Sequence, residues 1–166
     1  MTGRIFTADH HVYDLPPLLS WNVRHTGTVP CDSWSVTAVY QPEMLTVLRM
    51  AAGFAAIENG MTQLRGIVDE YTVELGSRGM TVTLSGRGYA ARLLDNESRP
   101  VTYEQVTLRE LIRCHAEPYG ISCGAAADLR PTVPYTAGAG ISQWKVISEF
   151  CRTYGGFLPR FAKTGE

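Results

Sequence analysis

The chain has 166 residues, enough for one ordinary domain or two small ones. Its hydrophobic fraction of 45% is that of a globular protein, and no low-complexity tract argues for disorder. Fifteen Lys and Arg stand against sixteen Asp and Glu, so the composition gives no general attraction to nucleic acid or anionic membrane.

No apolar run approaches the roughly 20 residues that span a bilayer. No membrane anchor is therefore expected. The opening Met1-Thr-Gly-Arg-Ile-Phe6 lacks the apolar stretch of a signal peptide, so synthesis in the cytoplasm is the expectation. The four cysteines, Cys31, Cys114, Cys123 and Cys151, have no paired spacing and read as reduced, partly buried thiols.

The first half reads as strands. Leu19, Trp21 and Val23 alternate with polar residues, and so do Trp34, Val36, Ala38 and Tyr40 after a turn at Gly27–Asp32. Pro42 suits the first turn of a helix carrying Met44, Val47, Leu48 and Ala51. Phe54–Glu58 is short and mixed. Asn59-Gly60 is a strong type I′ hairpin signal, and a long strand, Met61–Leu75, follows with Gly66 and Asp69 as points of bulge or twist. Gly76–Gly79 turns the chain back onto a strand, Met80–Ser85.

The character changes after the polar linker Asp95–Pro100. Thr107-Leu-Arg-Glu110 is a capping box. It opens a helix with Leu108, Leu111, Ile112 and His115 on one face and Arg109, Arg113 and Glu117 away from it. Pro118 and Gly120 end it. An extended piece at Ile121–Cys123 and an Ala/Gly/Pro-rich loop lead to Ser142, the cap of a second helix. Its apolar stripe is Trp144, Ile147, Phe150, Cys151 and Tyr154, and Gly155-Gly156 ends it. Phe157–Ala162 reads as a strand. Lys163–Glu166 looks like the start of a hairpin turn, and a chain that stops at a turn reads as a piece of something longer.

Three motifs invite a chemical reading. Gly86-Arg-Gly88-Tyr-Ala-Ala91 has the outline of a dinucleotide loop. Its strand belongs to a hairpin, however, and its helix is too short for a crossover, so the glycines serve a sharp exit from the strand. Ser142-Gln-Trp-Lys145 with Lys163-Thr-Gly165 matches two of three signatures of penicillin-binding enzymes. The third is absent, the gap is too short, and Ser142 is better read as an N-cap. Cys114 and His115 are adjacent on a helix and diverge by about 100°. His10-His11, in a polar N-terminal segment, reads as solvated or as a turn, and the thiols fit no zinc spacing. Trp21, Trp34 and Trp144 read as packing residues without the interleaved cations of a base-stacking platform. No catalytic, cofactor-binding or metal-binding residue is expected, and no cofactor.

The string Leu64-Arg-Gly-Ile-Val-Asp-Glu-Tyr71, then Gly79–Gly88 and Ala91-Arg-Leu-Leu-Asp95, resembles the late control D, or tail hub, proteins of contractile-tailed phages, prophages and related injection systems. The order continues through Thr107–Ile112, Tyr119-Gly-Ile121 and Trp144–Gly155. Leu15–Trp21 and Cys31–Val36 agree with hub relatives from prophages of Gram-positive bacteria.

The resemblance implies an α+β chain: an antiparallel β-barrel domain over residues 1–95, then a small α/β domain with two helices over 96–166, incomplete at its C-terminal end. It implies a homotrimeric ring in the baseplate of the virion tail. That ring would join the tail tube protein to the central spike protein, hold the tape-measure protein, and pass DNA in transit without tight binding. Gly86-Arg-Gly88 would then be the exit of a barrel strand. The rival reading is a small thiol- or metal-dependent hydrolase associated with a tail. A third is a generic oligomeric binding module.

Overall fold

The computed structural model describes residues 1–27, 30–77 and 79–166. Thr28 and Val29, in the turn expected over Gly27–Asp32, and Arg78, in that expected over Gly76–Gly79, lie outside the described residues. The chain forms two compact units. The first is Met1–Tyr89 with Lys163–Gly165, and the second is Ala90–Ala162 with Glu166.

The first unit is a seven-stranded antiparallel sheet. Its strands are β1 (Thr2–Thr7), β2 (Val12–Asp14), β3 (Leu18–Arg24), β4 (Ser33–Val39), β5 (Ala51–Glu58), β6 (Met61–Gly76) and β7 (Gly79–Gly88). The spatial order is β2-β1-β5-β6-β7-β4-β3, and one short helix, α1 (Met44–Arg49), links β4 to β5. Alternation decides which face is buried. Trp34, Val36 and Ala38 on β4 and Val82 and Leu84 on β7 point to the core, with Ser35, Thr37, Thr81 and Thr83 on the other side. Ile5, Phe54, Leu64, Met44 and Leu48 complete the core. Trp34 and Phe54 stack at 3.8 Å between ring centroids, and the Trp34 indole N–H donates to the Ile67 carbonyl at 3.1 Å. A fully buried side chain such as Phe54 contributes about 1.5–3 kcal/mol.

The sheet is open, which corrects the expected barrel. β2 and β3 are its two edges and do not pair with each other. Closure would need a ladder between them, but β2 has only three residues. The link into β3 contains Pro16 and Pro17, which have no N–H to give, and the Leu15 N–H already donates to the Gly3 carbonyl at 2.9 Å. The fold is α+β with an open antiparallel sheet.

Asn59 and Gly60 take φ of 51° and 76°, as a two-residue type I′ turn requires, and they join β5 to β6. The ladder between β6 and β7 slips at Asp69, between Val68 and Glu70. In β3 a bulge at Leu18/Ser20 turns Leu19 outward to 59% exposure, so Leu18 and Val23, not Leu19, pack on the core.

The second unit holds α2 (Ala90–Leu94), β8 (Val101–Tyr103), α3 (Leu108–His115), β9 (Tyr135–Ala137) and α4 (Gln143–Phe150). Thr107 caps α3 as expected. Its hydroxyl accepts from the Glu110 N–H at 3.2 Å, while its own N–H donates to the Glu110 carboxylate at 2.9 Å. Ser142 caps α4, which runs into a π turn over Cys151–Gly155 and stops at Gly156, φ 69°. The strand expected over Phe157–Ala162 is absent: the segment pairs with nothing in a ladder. Instead β8 and β9, thirty-odd residues apart in sequence, form a two-stranded ribbon. No helix among the described residues is long and apolar enough to cross a membrane.

Candidate functional site

The glycine motif has a different role from a phosphate cradle, and also from a sharp exit. Gly86 and Gly88 both lie inside β7, and neither has positive φ. A Cβ at Gly86 would run into the Ile67 carbonyl and, at 2.9 Å, the Trp34 ring. A Cβ at Gly66 would collide with the Arg87 carbonyl across the same ladder. These glycines let β6, β7 and the Trp34 ring approach closely. The helix that follows, α2, has five residues.

The acyl-transfer outline also dissolves. The Ser142 hydroxyl is occupied as an N-cap, accepting from the Lys145 N–H at 3.2 Å, and the Lys145 ammonium lies 3.7 Å from Glu149. Lys163 belongs to the first unit, where its ammonium donates to Gln63 at 2.8 Å.

His115 is buried and forms the centre of a polar network in the second unit. Its Nδ1 lies 2.5 Å from the Gln143 carbonyl oxygen and its Nε2 2.9 Å from the Tyr103 hydroxyl. The Gln143 oxygen can only accept, so Nδ1 carries a proton and donates to it. The Gln143 amide donates in turn to the Glu97 carbonyl at 2.8 Å and to the Tyr119 hydroxyl at 3.1 Å. The network fastens α3, α4 and β8 together. The sequence placed His115 on the inner face, but Gln143 gave no signal.

Cys114 is exposed on α3, and Cys31 lies in the first unit. Cys123 and Cys151 line one cavity of about 250 Å³ between α3, α4 and residues 121–127 and 157–162. Burial pushes the Cys151 thiol up to about 11. Burial likewise pushes the Tyr135 hydroxyl up to about 12; it donates to the Val146 carbonyl at 2.7 Å. His11 sits 3.0 Å from Asp9 in an exposed loop. Among the described residues, no group of three or more His, Cys, Asp or Glu could hold a metal ion.

What the first unit does present is surface. The outer face of β4, β6 and β7 carries short hydroxyls: Ser35 and Thr37, Thr72, then Thr81, Thr83 and Ser85. Thr37 and Thr83 lie 3.1 Å apart, Ser85 donates to Glu70 at 3.0 Å, and Arg87 forms a two-point ion pair with Asp69 at 2.8 and 2.9 Å. No lysine precedes Lys145 in the chain. The core side is apolar beyond what it covers. Trp21, opposite Val36, is 50% exposed at the β3 edge, and Leu75, opposite Met80, is 81% exposed at the end of the long hairpin.

No family model matches the sequence, and no curated protein does. Solved structures do match its fold. One is a 43 kDa tail protein of prophage MuSo2 from Shewanella oneidensis, with a TM-score of 0.74 at 14% identity over 99% of this chain and 52% of that one. Another is a tail protein from Neisseria meningitidis MC58, with a TM-score of 0.69 at 13% identity over 99% of this chain and 48% of that one. The chain therefore spans about half the length of the structures it matches. At these identities the likeness is one of fold.

Proposed function

We propose that the chain is a non-catalytic, structural part of a phage or prophage tail, built into a baseplate hub. Three copies would form a ring between the tail tube protein and the central spike protein, with the tape-measure protein and later DNA in its lumen. The observation that carries this reading is the fold match to two tail proteins over 99% of the chain.

The surface chemistry supports it. A conduit for DNA must not hold its cargo, and phosphate affinity comes from Lys and Arg. The outer sheet face mixes hydroxyls and two carboxylates, Glu70 and Glu74, with arginines that are mostly engaged: Arg87 pairs with Asp69, Arg4 pairs with Asp14, Arg65 lies over the Phe6 and Tyr89 rings, and Arg24 is exposed on β3. The two sheet edges and the uncovered Trp21 and Leu75 supply what a ring needs between subunits: strand pairing and apolar contact.

The reading is tested in the host by deleting the gene and imaging induced particles by electron microscopy. Tails should be missing or unfinished at the baseplate, and the wild-type gene supplied in trans should restore them. Complete, infective tails from the deletion strain would overturn the reading.

A further inference from the structure

Two of the four thiols line one cavity of the second unit. Cys151 opens the π turn after α4 and is 1% exposed. Cys123 lies on the irregular loop over residues 121–127 and is partly exposed. Both line the same apolar cavity of about 250 Å³. Cys123 is also near enough to add to the rise of the Cys151 thiol caused chiefly by burial. The loop around Cys123 has neither helix nor strand, and its neighbours Gly124, Ala125, Ala126 and Ala127 are small. The open volume and the small side chains leave room for the loop to settle toward α4.

We infer that Cys123 and Cys151 are an oxidisable dithiol pair, which a low-molecular-weight disulfide converts to an intramolecular bridge across the cavity. Cys123, at the rim, meets the reagent first. Its thiolate attacks one sulfur of the reagent, the S–S bond breaks, and one thiol leaves with a proton from water. Cys151 then gives its proton to solvent and attacks the Cys123 sulfur, expelling the second thiol. The protein loses two electrons and two protons, and the reagent's disulfide is reduced to two thiols. Burial pushes the Cys151 thiol up to about 11, so its thiolate, and with it the closing step, is favoured as pH rises. Cys114 is exposed on α3 and Cys31 is in the other unit, so neither shares this cavity.

The bridge would staple the loop to the π turn that follows α4. For a tail component, which leaves a reducing cytosol when its host lyses, oxidation would then follow assembly. That consequence rests on the tail reading; the thiol chemistry does not.

The experiment treats the intact chain with oxidised glutathione at pH 8 to 9 and reads intact mass, free thiols and a non-reduced peptide map. The mass should fall by about 2 Da, two of the four thiols should disappear, and one linked peptide pair should join Cys123 to Cys151. C123S should form no such bridge, while the double variant C31S/C114S should form it as fast as the wild type. The oxidised chain should melt several degrees higher, as a closed loop of this length stabilises roughly that much. Four thiols left free, a glutathione adduct on Cys123 that never resolves, or a bridge to Cys31 or Cys114 would each overturn the proposal.

Discussion

Gly86 shows how much a single missing Cβ can decide. The residue sits in regular strand geometry, so its backbone conformation asks for nothing special. Its neighbours do: the Ile67 carbonyl and the Trp34 ring occupy the space a methyl group would take. G86A should therefore cost several kcal/mol, because backbone and the stacked Trp34–Phe54 pair must both give way. G138A, where a Cβ meets nothing, should stay within about 0.5 kcal/mol of wild type. Urea unfolding of both variants checks this; equal stabilities would refute the close-approach account. The sequence showed a glycine pair leaving a strand. It could not show that the strand continues through both, because that depends on the ring of a residue fifty positions earlier.

Among the elements, α3 was fully legible. Its capping box, inner face and stop are all local, and each is present. Thr107→Ala removes both the cap acceptor and the partner of Glu110, and should cost about 1 kcal/mol, read as a lower melting temperature. The hydrogen bonds from Thr107 hold the Glu110 carboxyl below its ordinary range. The folded state thus favours the ionised form. That stabilisation is complete above the unfolded carboxyl's pKa and is lost as pH falls through the lower, folded value. Glu110→Gln should therefore flatten the acid limb of the stability–pH curve, and an unchanged limb would contradict the assignment. The strands divide by composition. β4 and β7 alternate strictly and were readable, whereas β5, Ala-Ala-Gly-Phe-Ala-Ala, has residues of low strand preference and is defined by β1 and β6 on either side. β8 and β9 are three residues each and find one another only across the whole second unit. Phe157–Ala162 carries a strand's composition without a partner strand to pair with.

For the whole molecule, the expected barrel failed at one place, the join between β2 and β3. Local patterning predicts strands but not whether the last meets the first; here two prolines and a three-residue edge leave the sheet open. Open edges beside the half-exposed Trp21 are what a subunit in a ring would use, and the hydroxyl face opposite is what a channel wall would use. A hub stands or falls on assembly, and light scattering on a sizing column reads the assembled mass. A trimer has three times the protomer mass, which is 18.3 kDa for this chain, and that mass is expected for this chain or, if a longer natural form exists, for that form. A protomer mass for both at high concentration would contradict the hub.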